Sequence, residues 1–356
     1  MLVRDAVTLL QGRITSGAWR SGERLPGIRE LSREMGASYV TLQKALKALT
    51  RQGLVTAERA QGCFVTRAGI GRTIQAMGAR ELLYLFADPL RNPPAEYQLS
   101  LYQHFQALVR AQGFLDRLAP PGELPGTPAE PLPAGALATE EDLQAKRLAA
   151  QGIPIVYCTS LPILGSGCAV NPDFHGGCAQ ATRHLLQLGH RRIGFITSAD
   201  VSELPQLRQT FALREQGYRD ALEAAGQQAA SAVAWHHRAP QAVRALLTGP
   251  QRPTALVVAN DVMAVELLSL AQELGLQVPR DLSVVGLEDM RCGRTSSPAL
   301  TTVGYDHAAL AQAAVGLLLE LIAGHVNGCV HKTIPMKLVP RASAQKPNLK
   351  SARSQP

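Results

Sequence analysis

Ser38-Tyr39-Val40-Thr41-Leu42-Gln43-Lys44-Ala45-Leu46-Lys47-Ala48-Leu49 is the stretch on which the reading of this chain turns. Ser38 stands where a helix cap belongs, its hydroxyl able to satisfy a free amide of the next turn. The apolar residues after it fall at helical spacing. They predict a helix with Val40, Ala45, Leu46 and Leu49 as the buried stripe and a stop before Gly53. Its outward residues are then Tyr39, Thr41, Gln43, Lys44 and Lys47. Upstream, Val3, Val7, Leu10 and Ile14 share one face of a first helix. Ile28, Leu31 and Met35 repeat the pattern on a short second helix, opened near Pro26-Gly27 and stopped by Gly36. Downstream, the extended runs Leu54–Glu58 and Cys63–Arg67 flank Arg59-Ala60-Gln61-Gly62, a hairpin signal.

Helix, short helix, tight turn, helix and hairpin are the parts of a winged helix-turn-helix. In a major groove the third helix would offer donors to phosphates and base edges, and the wing would carry Arg59 toward an adjacent groove. Charge supports that use. The chain has a formal net charge of +8, and residues 1–67 hold 11 Arg and Lys against 5 Asp and Glu, a net of +6. A basic small domain beside a near-neutral large one points to a polyanion partner for the small one. Spacing alone leaves a three-helix bundle without a nucleic-acid role open.

Composition narrows the other classes. Hydrophobic residues make up 46% of the 356, aromatics 4% and charged residues 18%, the profile of an α/β globule large enough for two domains. The cysteines, Cys63, Cys158, Cys168, Cys178, Cys292 and Cys329, include no pair at zinc-ribbon or redox-motif spacing. They read as reduced thiols, and the early acid in Met1-Leu2-Val3-Arg4-Asp5 argues against a secretory leader, so the expected location is the cytoplasm. No apolar run is long enough to span a membrane. Gly165-Ser166-Gly167 lacks the outer glycines of a nucleophile elbow. There is no Walker loop, and His236-His237, or Asp173 with His175, lack the spacing of a metal site. Neither an enzyme, a cofactor nor a metal is expected.

The chain divides by texture into a head (1–67), a glycine-bearing linker (68–80), a large domain (81–342) and an aperiodic tail (343–356) expected to be disordered. In the large domain the predicted strands are Leu82–Ala87, Ile153–Cys158, Arg192–Thr197, Thr254–Ala259 and Leu282–Leu287. Helical stretches Gly177–Leu188, Leu207–Ala225, Asp261–Leu274 and His307–Ala323 alternate with them. Ala119–Ala136, rich in proline and glycine, is expected to be a loop. Apolar strands separated by helices mean parallel sheets covered on both faces, with ligands beyond the carboxyl ends of the strands. Asp88, Thr159, Ser198, Asn260-Asp261 and Glu288-Asp289 follow strands and are the residues to watch, although a helix cap is the commoner role for such positions.

Two resemblances sharpen this. Gly17-Ala18-Trp19-Arg20-Ser21-Gly22-Glu23-Arg24-Leu25-Pro26, then Arg29-Glu30-Leu31, Ser38-Tyr39-Val40-Thr41-Leu42, Ala45-Leu46 with Leu49, Gly53-Leu54 and Gly62-Cys63-Phe64-Val65, resemble the head of GntR-type regulators over nearly all of residues 1–67. The resemblance implies Arg29 near the DNA backbone and Ser38, Thr41 and Lys44 facing the groove. Tyr39, Gln43, Lys47, Arg59, Gln61 and Gly62 complete the candidate DNA-binding set. Tyr39 departs from the arginine usual after the cap serine, and Ala60 from a common wing glycine.

From Gly152 to Arg341 the chain resembles the sensor domain of LacI-type repressors and periplasmic sugar-binding proteins. The match runs through His184–Ile196, Arg214 with Gly217-Tyr218, Asn260-Asp261, Asp281–Gly286 and Pro298 with Leu300–Val303. Over Glu81–Ala150 the likeness is thin, one strand, one helix and a proline-rich loop, which makes the first lobe look eroded. The implied fold is a two-lobed periplasmic-binding-protein-like domain with parallel sheets. Gly286 and Thr301–Val303 would mark crossings between the lobes. Arg214 and Asp261 would grip an effector, most simply a sugar, in the cleft, with Asp88, Trp235 and Glu288 as further candidates. Partners implied are double-stranded operator DNA, a small-molecule effector and a second copy in a homodimer, with no membrane. The alternative is a DNA-binding regulator whose second domain only dimerises.

Overall fold

The computed structural model describes residues 2–15, 19, 22–58, 61–66, 81–85, 96–119, 132–139, 143–158, 167–198, 205–228, 231–235, 241–326 and 328–348. The expected linker lies outside these, as does most of the proline-rich loop.

The head is α1 (Val3–Thr15), α2 (Ile28–Met35), α3 (Tyr39–Arg51), β1 (Val55–Glu58) and β2 (Gly62–Val65). On α1 the buried face is Ala6, Leu10 and Ile14, with Val3 and Val7 half-covered at its border. Leu31 of α2 closes the core from the other side. The stripe on α3 is Leu42, Ala45, Leu46 and Leu49, whereas Val40 is 55% exposed. The correction follows from helix geometry. At about 100° per residue, Leu42 joins the other three in one arc, whereas Val40 points nearly the opposite way. β1 and β2 pair antiparallel, and Arg24 makes a single antiparallel bridge to Phe64.

Contacts divide the whole chain, head included, into one unit of Met1–Val170 with Ala311–Lys332 and another of Asn171–Leu310 with Thr333–Pro356. The chain therefore changes unit after Val170, Leu310 and Lys332. Gly286 and Thr301–Val303, expected at crossings, instead lie within strands of the second sheet.

The first unit carries β3 (Glu81–Leu85), α4 (Glu96–Ala111), β4 (Leu115–Ala119), β5 (Gly135–Ala138), α5 (Leu143–Ala150), β6 (Ile155–Cys158) and β7 (Cys168–Pro172). With β13 (His331–Ile334) they make a six-stranded sheet in the order β13-β7-β6-β5-β3-β4. The first lobe is not eroded. β5 begins inside the stretch read as loop, and its Gly135-Ala136-Leu137-Ala138 is fully buried. Such small residues carry too weak an apolar signal to register as a strand, and they suit a site where a covering helix approaches closely. A Cβ on Gly135 would stand 2.9 Å from Leu318.

The second unit runs α6 (Phe174–Leu188), β8 (Ile193–Ser198), α7 (Pro205–Glu223), β9 (Ser231–Trp235), α8 (Gln241–Thr248), β10 (Ala255–Ala259), α9 (Asp261–Glu273), β11 (Ser283–Leu287), α10 (Arg291–Thr295), β12 (Thr301–Tyr305), the start of α11 (His307–Ile322) and β14 (Met336–Val339). The sheet order is β14-β12-β11-β10-β8-β9, parallel except for β14 at the edge. The central strand β10 shows how both faces are filled. Ala255, Val257 and Ala259 pack with Phe195, Tyr218 and Leu185, and Leu256 and Val258 pack with Val243, Leu247 and Leu267 on the other side. α6 and α7 cross closely enough that a Cβ on Gly217 would meet the His175 carbonyl at 2.1 Å, so only glycine fits there.

The segment expected to be disordered from Ser343 is ordered to Asn348. Ser343 is fully buried, its hydroxyl donating to the Val284 carbonyl and accepting from the Thr301 amide. His190 reaches the Gln345 carbonyl at 2.8 Å. This strap is held by backbone and hydroxyl hydrogen bonds, which leave no apolar periodicity to read.

Candidate functional site

Two groups of side chains stand out. In the head, Ser38 caps α3, its Oγ accepting from the Thr41 amide at 3.1 Å and lying 2.8 Å from the Thr41 hydroxyl. Tyr39, Gln43, Lys44 and Lys47 are exposed along α3, and Thr41 is half-covered. Arg29 is exposed on the first turn of α2, and Gln61 and Gly62 open the wing strand. Arg59 lies outside the described residues. Val40 shares the outward face, a member that the sequence reading assigned to the core.

The second group sits at the carboxyl ends of β8, β10 and β11. Between β8 and β10 the strand order reverses, since β8 is followed by β9 on one side and β10 on the other. Such a switch point is the usual place for a ligand in a sheet of this kind. Arg214 comes from α7, which follows β8, and is only 4% exposed. One terminal nitrogen donates to Glu288 Oε1 at 2.5 Å, and the guanidinium lies over the rings of Phe174 at 4.2 Å and Phe211 at 5.0 Å. An ion pair with stacking on two rings fixes the guanidinium in one orientation. Glu288 Oε2 receives a long contact from the Asn260 amide at 3.4 Å. The turn after β11 aims Glu288 inward: Glu288 and Asp289 adopt φ of 95° and 52°, the left-handed region that non-glycine residues rarely take. Such strain gathers where a side chain must be aimed. Asp289 is anchored by Arg294 and Arg341.

Asp261 is held by two internal hydrogen bonds. It is fully buried, with one carboxylate oxygen accepting from the Met290 amide at 2.7 Å and the other from the Thr302 hydroxyl at 2.6 Å. These two bonds tie the start of α9 to the turn after β11 and to β12. Burial pushes its carboxyl up to about 7, against the pull of those two hydrogen bonds. The packing needs Gly286, where a Cβ would stand 2.1 Å from an Asp261 oxygen.

Three buried polar atoms near the carboxyl end of β8 and on α7 have no hydrogen-bond partner among the described residues: Thr197 Oγ1, Thr210 Oγ1 and Arg214 Nε. Thr210, Phe211 and Arg214 share a helix face at spacings of three and four, a signal in the sequence that went unread. Asp88 and Thr159 lie outside the described residues, as do the side chains of Ser198 and Trp235.

Residues 2–65 match the family described as bacterial regulatory proteins, gntR family, and residues 182–344 match a periplasmic binding protein-like domain. This chain joins a GntR-family head to a LacI-type, periplasmic-binding-protein-like domain. Neither matched domain is an enzyme family. Among relatives, the HTH-type transcriptional repressor PurR of Photorhabdus laumondii is 35% identical over 179 residues, covering 49% of this chain and 50% of its own. An uncharacterized HTH-type transcriptional regulator in the aml 5′ region of Streptomyces limosus is 35% identical over 193 residues, 52% of this chain and 53% of its own. The chain thus spans about half the length of the curated relatives it matches. A LacI family transcriptional regulator from Mycobacterium smegmatis superposes with a TM-score of 0.59 at 28% identity, over 75% of this chain and all of the other. The transcriptional regulator CelR in its cellobiose complex gives a TM-score of 0.64 at 24% identity, over 90% of this chain and all of the other, and shares the fold.

Proposed function

We propose that the chain is a transcriptional regulator that binds operator DNA through its head as a homodimer, acts as a repressor in the cytoplasm, and answers to a small molecule. The observation that carries the DNA half is the outward face of α3. It exposes Gln43, Lys44 and Lys47, and it belongs to a domain holding most of the chain's positive excess. The effector half rests on the buried Arg214–Glu288 pair at the switch point.

That pair also limits the ligand's chemistry. Its charges cancel, so a charged effector would bring an uncompensated charge into a dry site, which is costly. The open valences are a guanidinium N–H, two hydroxyls and a carboxylate oxygen holding only a long contact. A neutral molecule rich in hydroxyls satisfies donors and acceptors together. The effector we propose is therefore a sugar or related polyol held by Arg214 and Glu288, with Asp88 and Trp235 as further candidates. The rival reading, a second domain that only dimerises, rested on an eroded first lobe, and the first sheet has its six strands.

The test is thermal stabilisation of the full chain by a panel of neutral sugars and of anionic metabolites. Stabilisation by a neutral sugar that is lost in R214M supports the reading. Stabilisation by anions alone would overturn the sugar assignment, and none by any compound would favour the dimerisation reading. Retention of a promoter fragment over random duplex at moderate ionic strength tests the DNA half.

A further inference from the structure

Val40 and Tyr39 are apolar or aromatic, yet they stand on the outward face of a basic helix. With Tyr39 as origin and about 100° per residue, Leu42, Ala45, Leu46 and Leu49 occupy an arc from about 240° to 340°. Val40 falls at about 100°, almost opposite the centre of that arc. Gln43, Lys47 and Lys44 surround it at about 40°, 80° and 140°. The side chain at the middle of the outward face is thus a valine, 55% exposed, bordered by Tyr39, itself 49% exposed.

Folding gives no reason for this. A β-branched residue lowers helix propensity, and Val40 buries little in return. The hydroxyls beside it are also engaged, because Ser38 and Thr41 bond to one another and to the helix end. What remains at the tip of α3 is a small apolar surface, with Lys44 and Lys47 one and two turns further along the same face. In a major groove, the 5-methyl group of thymine is the apolar feature that a base pair offers.

We infer that Val40 is a specificity residue that packs against a thymine 5-methyl group, with Tyr39 bordering the contact and Lys44 and Lys47 toward the phosphates. The inference deepens the DNA-binding reading and rests on it. A protein partner could cover such a patch too, but two flanking lysines and a head of net charge +6 favour a polyanion.

The operator is first recovered from random duplexes by selection with the full-length chain. Each thymine in it is then replaced singly by deoxyuridine, which removes the methyl group and leaves every hydrogen-bonding group in place. At one or two positions affinity should fall about four-fold, the worth of one buried methyl-sized group. The same replacement should have no effect on V40A, which keeps the fold because the side chain is exposed, and V40T should fall between. A recovered operator with no methyl-sensitive position overturns the inference and leaves DNA binding standing. So does a sensitivity that survives in V40A, or a V40A variant that changes association state and keeps its methyl dependence. A selection that returns nothing above random sinks the DNA-binding reading itself, and the inference with it.

Discussion

On α3, Lys44 and Lys47 stand in water and make no ion pair among the described residues, whereas in the second unit Arg214 and Glu288 meet at 2.5 Å in the interior. The same kinds of charge are put to opposite uses. Exposed cations cost the fold almost nothing and remain available to a polyanion, their attraction weakening as salt rises. Buried ions lose their hydration, and only the partner opposite makes the arrangement tolerable. The head therefore advertises its charge, and the second unit conceals it.

Breaking the buried pair should produce the largest effect. R214A leaves Glu288 as an unpaired ion in the interior and should lower the unfolding free energy by about 3–5 kcal/mol. Urea unfolding of the full chain measures it, and the paired replacement R214M/E288L should recover most of the loss. A single variant that unfolds like the parent would show that the pair is better hydrated than its burial implies.

Next in size is Asp261. D261A strands the Met290 amide and the Thr302 hydroxyl and should cost about 2–4 kcal/mol, at about 1–2 for each of the two unsatisfied groups. D261N keeps an acceptor for the amide and a donor for Thr302, so it should fold. The pH dependence separates the two further. With the Asp261 carboxyl raised to about 7 when folded and 3.8 as its ordinary value, the unfolded chain releases this proton first as pH rises. The group's contribution is therefore full below about pH 4, declines from there to about pH 7, and is flat above. Subtracting the stability profile of D261N from that of the parent should reveal that decline, and a flat difference would show that Asp261 is ionised throughout.

G286A is expected to cost about 1–3 kcal/mol by pushing a Cβ toward Asp261 and Leu300, with thermal unfolding as the readout. In the head, K44A and K47A should each change stability by less than about 0.5 kcal/mol. Each should lower the slope of log affinity against log salt by about one. Should either lysine variant destabilise the fold as strongly as G286A, the contrast between advertised and concealed charge would fail.

Legibility in the sequence divides along the same line. The three head helices and the wing came from local periodicity, and Ser38 was read as a cap and is one. The error there was Val40, assigned to the core because valine is apolar although the helical angle excludes it. In the large domain the continuous apolar strands β6, β8, β10 and β11 announced themselves. β5 did not, since glycine and alanine bury without a strong hydrophobic signal, and the strap after Ser343 did not, since hydrogen bonds hold it. The bonds of Asp261 to Met290 and Thr302 were not legible either, because an Asn-Asp pair after a strand looks the same whatever the acid meets.

The sequence by itself determined the head's helices and wing, the most apolar strands of the large domain, where the charge collects and which parallel-sheet class that domain joins. All of these depend on residues a few positions apart. The tertiary structure decided which ions meet: Arg214 finds a carboxylate 74 residues away, and Asp261 finds a hydroxyl 41 residues away. Burial, and with it the strength of a charge, depends on neighbours brought together from distant parts of the chain, and no local pattern records them.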